Sequence, residues 1–188
     1  MKFSTGNNKL TLCNRADSWL EALLKTTTNF ASKHFSLHQL SEGIFAAIAT
    51  DGGAAICNAC LVDLGEQILV FDTFLTPQAA QDLRDSAVKY FGRTPQLVIY
   101  SHFHNDHTWG GQVFADTAQI IASTRTRELI STEGVLEFKW HAANAAQKLE
   151  SLRVQYQNAD GAQQREQIAL GMGYYGGLVE ALPHLKVC

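Results

Sequence analysis

The sequence predicts an α/β fold (α+β layers), with a sheet layered against helices and a helical hairpin at its C-terminal end. Three observations carry this. Short apolar runs rich in β-branched residues follow one another from Phe35 to Asp72 with turns between them, the pattern of consecutive strands. A helix with clear start and stop signals then lies between two further apolar runs, a crossover that favours parallel pairing. Past residue 137, apolar residues recur at alternating spacings of four and three, the signature of packed helices.

In chain order, residues 1–34 read as an N-terminal helical extension. Ser18-Trp-Leu-Glu21 is a capping-box pattern, and Leu20, Leu23, Leu24, Phe30 and Ala31 follow at helical spacing. The threonines at 26–28 weaken that helix. Residues 35–136 form a β/α half-domain. Its opening strands are Phe35–Leu40, Gly43–Ala49, Ala55–Leu64 and Gln67–Asp72, with Asp51-Gly-Gly and Leu64-Gly-Glu as turns. Thr76-Pro77 opens a helix, because Thr caps well and Pro at the first helical position loses no hydrogen bond. Ala80, Leu83, Ala87 and Phe91 make its apolar face, and Gly92 ends it. The strand Gln96–Ser101 follows, then Gln119–Ala122, and a short helix capped by Ser123 or Thr124. Residues 137–188 read as a helical hairpin. Its seams are Phe138, Ala142, Ala145, Leu149, Leu152 and Tyr156, then Ile168, Met172, Tyr175, Val179 and Leu182. Gly171, Gly173, Gly176 and Gly177 cost the second helix about 1 kcal/mol each relative to Ala unless close packing needs them.

Composition bounds the function. A chain of 188 residues with 46% hydrophobic and 18% charged content suits one soluble globular domain. A net charge of −3 argues against a nucleic-acid surface, which needs a basic stripe. No signal peptide and no apolar run near the roughly 20 residues of a membrane span is present, so the expected setting is cytoplasmic, with no membrane partner. Of the four cysteines, Cys57 and Cys60 lie in an apolar stretch and are expected as buried, inert thiols facing opposite sides of a strand. A binding module using both with histidines is the competing reading.

The chemistry concentrates in Ser101-His-Phe-His-Asn-Asp-His-Thr-Trp-Gly-Gly111, directly behind an apolar strand. Open α/β sheets commonly place ligands at that end of a strand. Residues two apart on an extended segment point the same way, so His102, His104 and Asp106 converge. His107 needs a turn to join them, for which Gly110 and Gly111 supply backbone freedom. Three imidazoles and a carboxylate suit zinc or a similar borderline metal, with iron or manganese as alternatives.

His-x-His-x-Asp-His followed by Gly110 resembles the signature of the metallo-β-lactamase-fold hydrolases, and the chain from about His38 to Ile121 is similar to theirs. The resemblance implies the N-terminal part of an αββα sandwich. It implies His102 and His104 at a first metal position, Asp106 and His107 at a second, and Asp72 beside the loop. The implied activity is hydrolysis of a small-molecule ester, thioester, lactone or lactam by water activated at one or two Zn ions. Asp106 both binds metal and orients the attacking water. The family's completing motifs, a His in a Gly-His-Ser/Thr setting, a bridging Asp and a final His, do not follow. Only His141 and His184 lie downstream. His141 reads as a surface or packing residue, and His184 as a cation at a helix end. The chain is therefore expected to be the N-terminal portion of such a protein. A non-catalytic fragment with a partial metal site is the alternative, and an exposed sheet edge favours self-association.

Overall fold

A computed structural model describes residues 27–186. The helix expected from Ser18 falls largely outside them, as do Cys13 and Cys188. Phe30 and Ala31, at that helix's expected end, are not helical. Thr27 forms an antiparallel bridge with His38 instead, consistent with the poor helix propensity of the threonines around it.

Six strands form one sheet in sequence order: β1 (Phe35–Ser41), β2 (Ile44–Ala49), β3 (Ala59–Asp63), β4 (Ile68–Phe71), β5 (Leu97–Ile99) and β6 (Gln119–Ile121). β1 to β4 pair antiparallel. β4–β5 and β5–β6 pair parallel, as the crossover requires. Alternation along the strands sends Phe35, Leu37, Phe45, Ala47, Leu61, Ile68, Val70 and Val98 to one buried face. Helix α1 (Pro77–Phe91) covers that face with Ala79, Ala80, Leu83 and Ala87. Thr76 Oγ1 accepts from the Ala79 N–H, and Gly92 ends the helix at φ 68°, as the two cap signals predict. The expected strand at Ala55–Leu64 is shorter. It begins at Ala59, because Ala54 and Ile56 adopt left-handed φ values of 61° and 72° that no strand accommodates.

After β5 the chain forms a short helix α2 (Asn105–Thr108) and a 3₁₀ turn (Trp109–Phe114), then β6 and α3 (Thr124–Leu129). A π-helical turn at Ile130–Gly134 runs α3 into α4 (Val135–Gln157), and α5 (Ala162–Ala181) returns along it. The hairpin forms, but its buried positions are His141, Ala145 and Leu149 on α4 and Gly177, Leu178 and Ala181 on α5. Ala142 and Val179 are exposed, since a straight helix drifts off a strict seven-residue repeat. Leu75, Ala145 and Leu178 make a second small core beneath the hairpin. Two of the glycines have a packing reason: a Cβ on Gly173 would lie 2.6 Å from Gly52 Cα, and one on Gly177 would strike the Ala54 Cβ. No helix among the described residues is long and apolar enough to cross a membrane.

Candidate metal centre

The loop after β5 is built against the segment that follows β4. Asp72 leaves β4 at φ 61° and Phe74 sits at 67°, both in the left-handed region that side chains rarely adopt. The sharp path continues the ladder past the strand ends. The Asp72 N–H donates to Ile99 O (2.9 Å) and the Thr73 N–H to His107 O (3.0 Å), while the Gly110 N–H donates to Phe74 O (3.0 Å). The Thr73 hydroxyl adds a bond to His107 O at 2.9 Å. Gly110 and Gly111 are not in the positive-φ region, so backbone freedom is not their role. They are needed for space: a Cβ on Gly110 would collide with the Thr73 carbonyl, and one on Gly111 with the Tyr100 hydroxyl.

Asp72 fixes the loop from below. Its Oδ1 accepts from the Ser101 N–H at 2.8 Å and its Oδ2 from the Ser101 hydroxyl at 2.7 Å. His107 Nδ1 lies 2.7 Å from the same Oδ2. A carboxylate on Nδ1 makes that nitrogen the proton-bearing one and leaves the Nε2 lone pair for a ligand. His107 reaches this place by the turn expected for it, its N–H donating to His104 O at 3.1 Å.

The predicted side chains form a line of neighbours. His102 Nε2 and His104 Nδ1 are 2.9 Å apart, and the rings of His102 and His107 have centroids 4.0 Å apart. His107 Nε2 lies 3.5 Å from Asp106 Oδ2. His102 is held below the usual histidine range, first by partial burial and then by the neighbouring imidazoles of His107 and His104. That favours the neutral, ligating form. Two donors on a tetrahedral zinc are about 3.3 Å apart, so the His102–His104 and Asp106–His107 pairs both have the reach of a ligand pair. The donor set fits a borderline metal.

Two further contacts reach the loop from far away in sequence and have no local signature. Cys57, buried, donates from Sγ to the Asp106 carbonyl at 2.8 Å. With Asp106 and His107 it forms a group whose ligand atoms all lie within 4.8 Å of one another. Burial first, then the carboxylates of Asp106 and Asp72, push its thiol well above the usual range. Asn105, also buried, donates to the Tyr174 hydroxyl of α5 at 2.8 Å, and that hydroxyl lies 3.3 Å from His141 Nε2. His141 is thus the packing residue of the two roles expected for it. It sits among the rings of Trp109, Trp140, Tyr174 and Tyr175, and its buried Nδ1 has no hydrogen-bond partner among the described residues. His184 is exposed in a 3₁₀ turn, its carbonyl accepting from Gln112.

A family model described as the Metallo-beta-lactamase superfamily matches residues 52–144. The chain is 34% identical over 94 residues to the 2,4-dinitroanisole O-demethylase subunit alpha of Nocardioides sp. (strain JS1661), covering 49% of this chain and 25% of that relative. The chain thus spans about a quarter of that relative's length. A solved metallo-β-lactamase from Erythrobacter litoralis aligns with a TM-score of 0.47 and 21% identity, over 54% of this chain and 46% of that one. One from Hirschia baltica aligns with a TM-score of 0.46 and 16% identity, over 54% and 48%. The histidine loop, Asp72 and Cys57 all fall within residues 52–144, the stretch that matches the metallo-β-lactamase superfamily.

Proposed function

We propose that the chain is a metal-dependent hydrolase that holds zinc at the loop after β5 and cleaves an ester, thioester, lactone or lactam. The observation that supports this most is the Asp72–His107 bond of 2.7 Å, which aims the imidazole's second nitrogen toward Asp106. Carboxylate–imidazole pairs of this kind orient metal ligands. His102 and His104 hold the first metal position, and Asp106 and His107 the second. Bound zinc supplies a Lewis acid and lowers the pKa of water toward neutrality. Asp106 accepts a hydrogen bond from the attacking water and sets its direction. Beside His104, an open depression of about 450 Å³ is bordered by Phe103, Leu136 and Trp140 with Glu133 and Glu137. Aromatic walls and two carboxylates favour an apolar substrate without negative charge.

That depression also favours a second reading, cleavage of an aryl ether, by analogy with the relative whose name gives 2,4-dinitroanisole as its substrate. The test is a panel of uncharged aryl esters, thioesters, lactones, lactams and an aryl methyl ether, offered to zinc-loaded protein and to a His102→Ala control. Turnover of an acyl substrate above the control is the expected result, together with at least one zinc per chain. Zinc bound without turnover of any acyl substrate overturns the hydrolase reading and supports a non-catalytic partial site. Turnover of the ether alone supports the second reading.

A further inference from the structure

We infer that Cys57 Sγ is a protein ligand at the second metal position, completing with Asp106 and His107 a thiolate–carboxylate–imidazole set. This rests on the reading of the loop as a metal site and adds a donor to it from outside the histidine motif. The ligand atoms of the three residues all lie within 4.8 Å of one another. Donors on a tetrahedral zinc, with bonds of about 2.0 to 2.3 Å, are roughly 3.3 to 3.8 Å apart. The Asp106–His107 pair already has that spacing, at 3.5 Å, and a small side-chain adjustment brings the sulfur to it.

The three donors are directed inward by separate causes. Asp72 occupies His107 Nδ1, so Nε2 is the nitrogen that faces Asp106, at 3.5 Å. Cys57 is carried to the loop by a reversal of the chain before β3, where Ile56 sits at φ 72° and the Cys57 N–H donates to Ala55 O at 3.1 Å. Its Sγ already rests 2.8 Å from the Asp106 carbonyl. On ligation the S–H proton passes to solvent, the sulfur–metal bond forms, and that hydrogen bond is given up.

Zinc sites normally use at least three protein ligands, and the Asp106–His107 pair supplies two. The thiol is the third, and it brings selectivity. A thiolate favours zinc over the harder manganese ion, whereas carboxylate and imidazole alone discriminate less. Cys60 has no such part: it is half-buried on β3, and among the described residues its thiol donates to the Leu61 carbonyl, at 3.7 Å.

The experiment uses the full chain with Cys13, Cys60 and Cys188 changed to Ser, so that Cys57 is the one thiol, alongside the same protein carrying Cys57→Ser. Each is titrated with cobalt(II) and followed by absorption, and the zinc-loaded proteins are measured by X-ray absorption. The expected result for the single-thiol protein is a near-ultraviolet sulfur-to-cobalt band and a sulfur shell at about 2.3 Å. In the Cys57→Ser protein the visible cobalt bands remain, the near-ultraviolet band is lost, and zinc affinity falls at least about tenfold. Visible bands without a sulfur signal in the single-thiol protein overturn the inference while leaving the histidine loop as a metal site. No metal bound by either protein overturns both. Should Cys57→Ser fail to fold, the single-thiol protein decides alone.

Discussion

Asp72 serves three polar partners at once: the Ser101 N–H, the Ser101 hydroxyl and His107 Nδ1. A carboxylate does this because its two oxygens offer about four acceptor sites, which an amide cannot match. Asp72→Asn would keep the shape and lose the charge behind the imidazole. The expected outcome is a fall in zinc affinity of about 10- to 100-fold with secondary structure unchanged. Competition against a chromophoric chelator measures it, and unaltered affinity would refute the orienting role. The sequence pointed to Asp72 only through family resemblance, since nothing local announces a bond to a residue 35 positions away. Cys57 was harder still. Read as part of a strand, it had no reason to turn toward the loop, and the reversal that turns it depends on left-handed φ values at Ala54 and Ile56, residue types that give no such signal.

At the scale of elements, legibility followed the range of the signal. Helix α1 was readable at both ends because Thr76 and Gly92 act within one turn of themselves. The hairpin was readable as two helices, with Ala145 and Leu149 rightly on the buried seam, but His141, Gly177 and Ala181 were not, because what α4 and α5 bury also depends on Leu75 and on the turn at Gly52–Ala54. Its link to the site is the chain Asn105–Tyr174–His141. Tyr174→Phe removes the acceptor for a buried amide and is expected to destabilise the fold by about 1 to 3 kcal/mol, measured by urea unfolding. Burial pushes the Tyr174 hydroxyl up from the ordinary tyrosine range, to about 12. A group whose folded pKa is raised contributes stability that is fully present below its unfolded value and lost as pH rises through the folded one. The wild-type advantage over Tyr174→Phe should accordingly shrink between pH 10 and about 12. An advantage that persists undiminished across that window would show that Tyr174 does not titrate as placed.

For the molecule as a whole, the described residues put helical cover on one face of the sheet. On the other, register aligns Ile44 with Val62, Val62 with Leu69, and Phe71 with Ile99 and then Ile121. Phe71 and Ile121 are 40% and 41% exposed, and among the described residues β6 is an edge strand of the sheet. An apolar face running to an unpaired edge is a template for association. The prediction is concentration-dependent self-association in sedimentation velocity, reduced by Ile121→Lys, which places a charge on the outer face at that edge. A monomer at all concentrations would refute it. The clasp that residues 72–74 make on the loop has a different consequence. Its bonds join protein groups to one another, so the shape of the loop is set when the chain folds. The conformational entropy of gathering the side chains is then spent in folding, and an arriving ion meets a receptor already in place. Capture would be governed by diffusion and by shedding of the ion's water, and stripping the ion would leave the cradle standing for the next one.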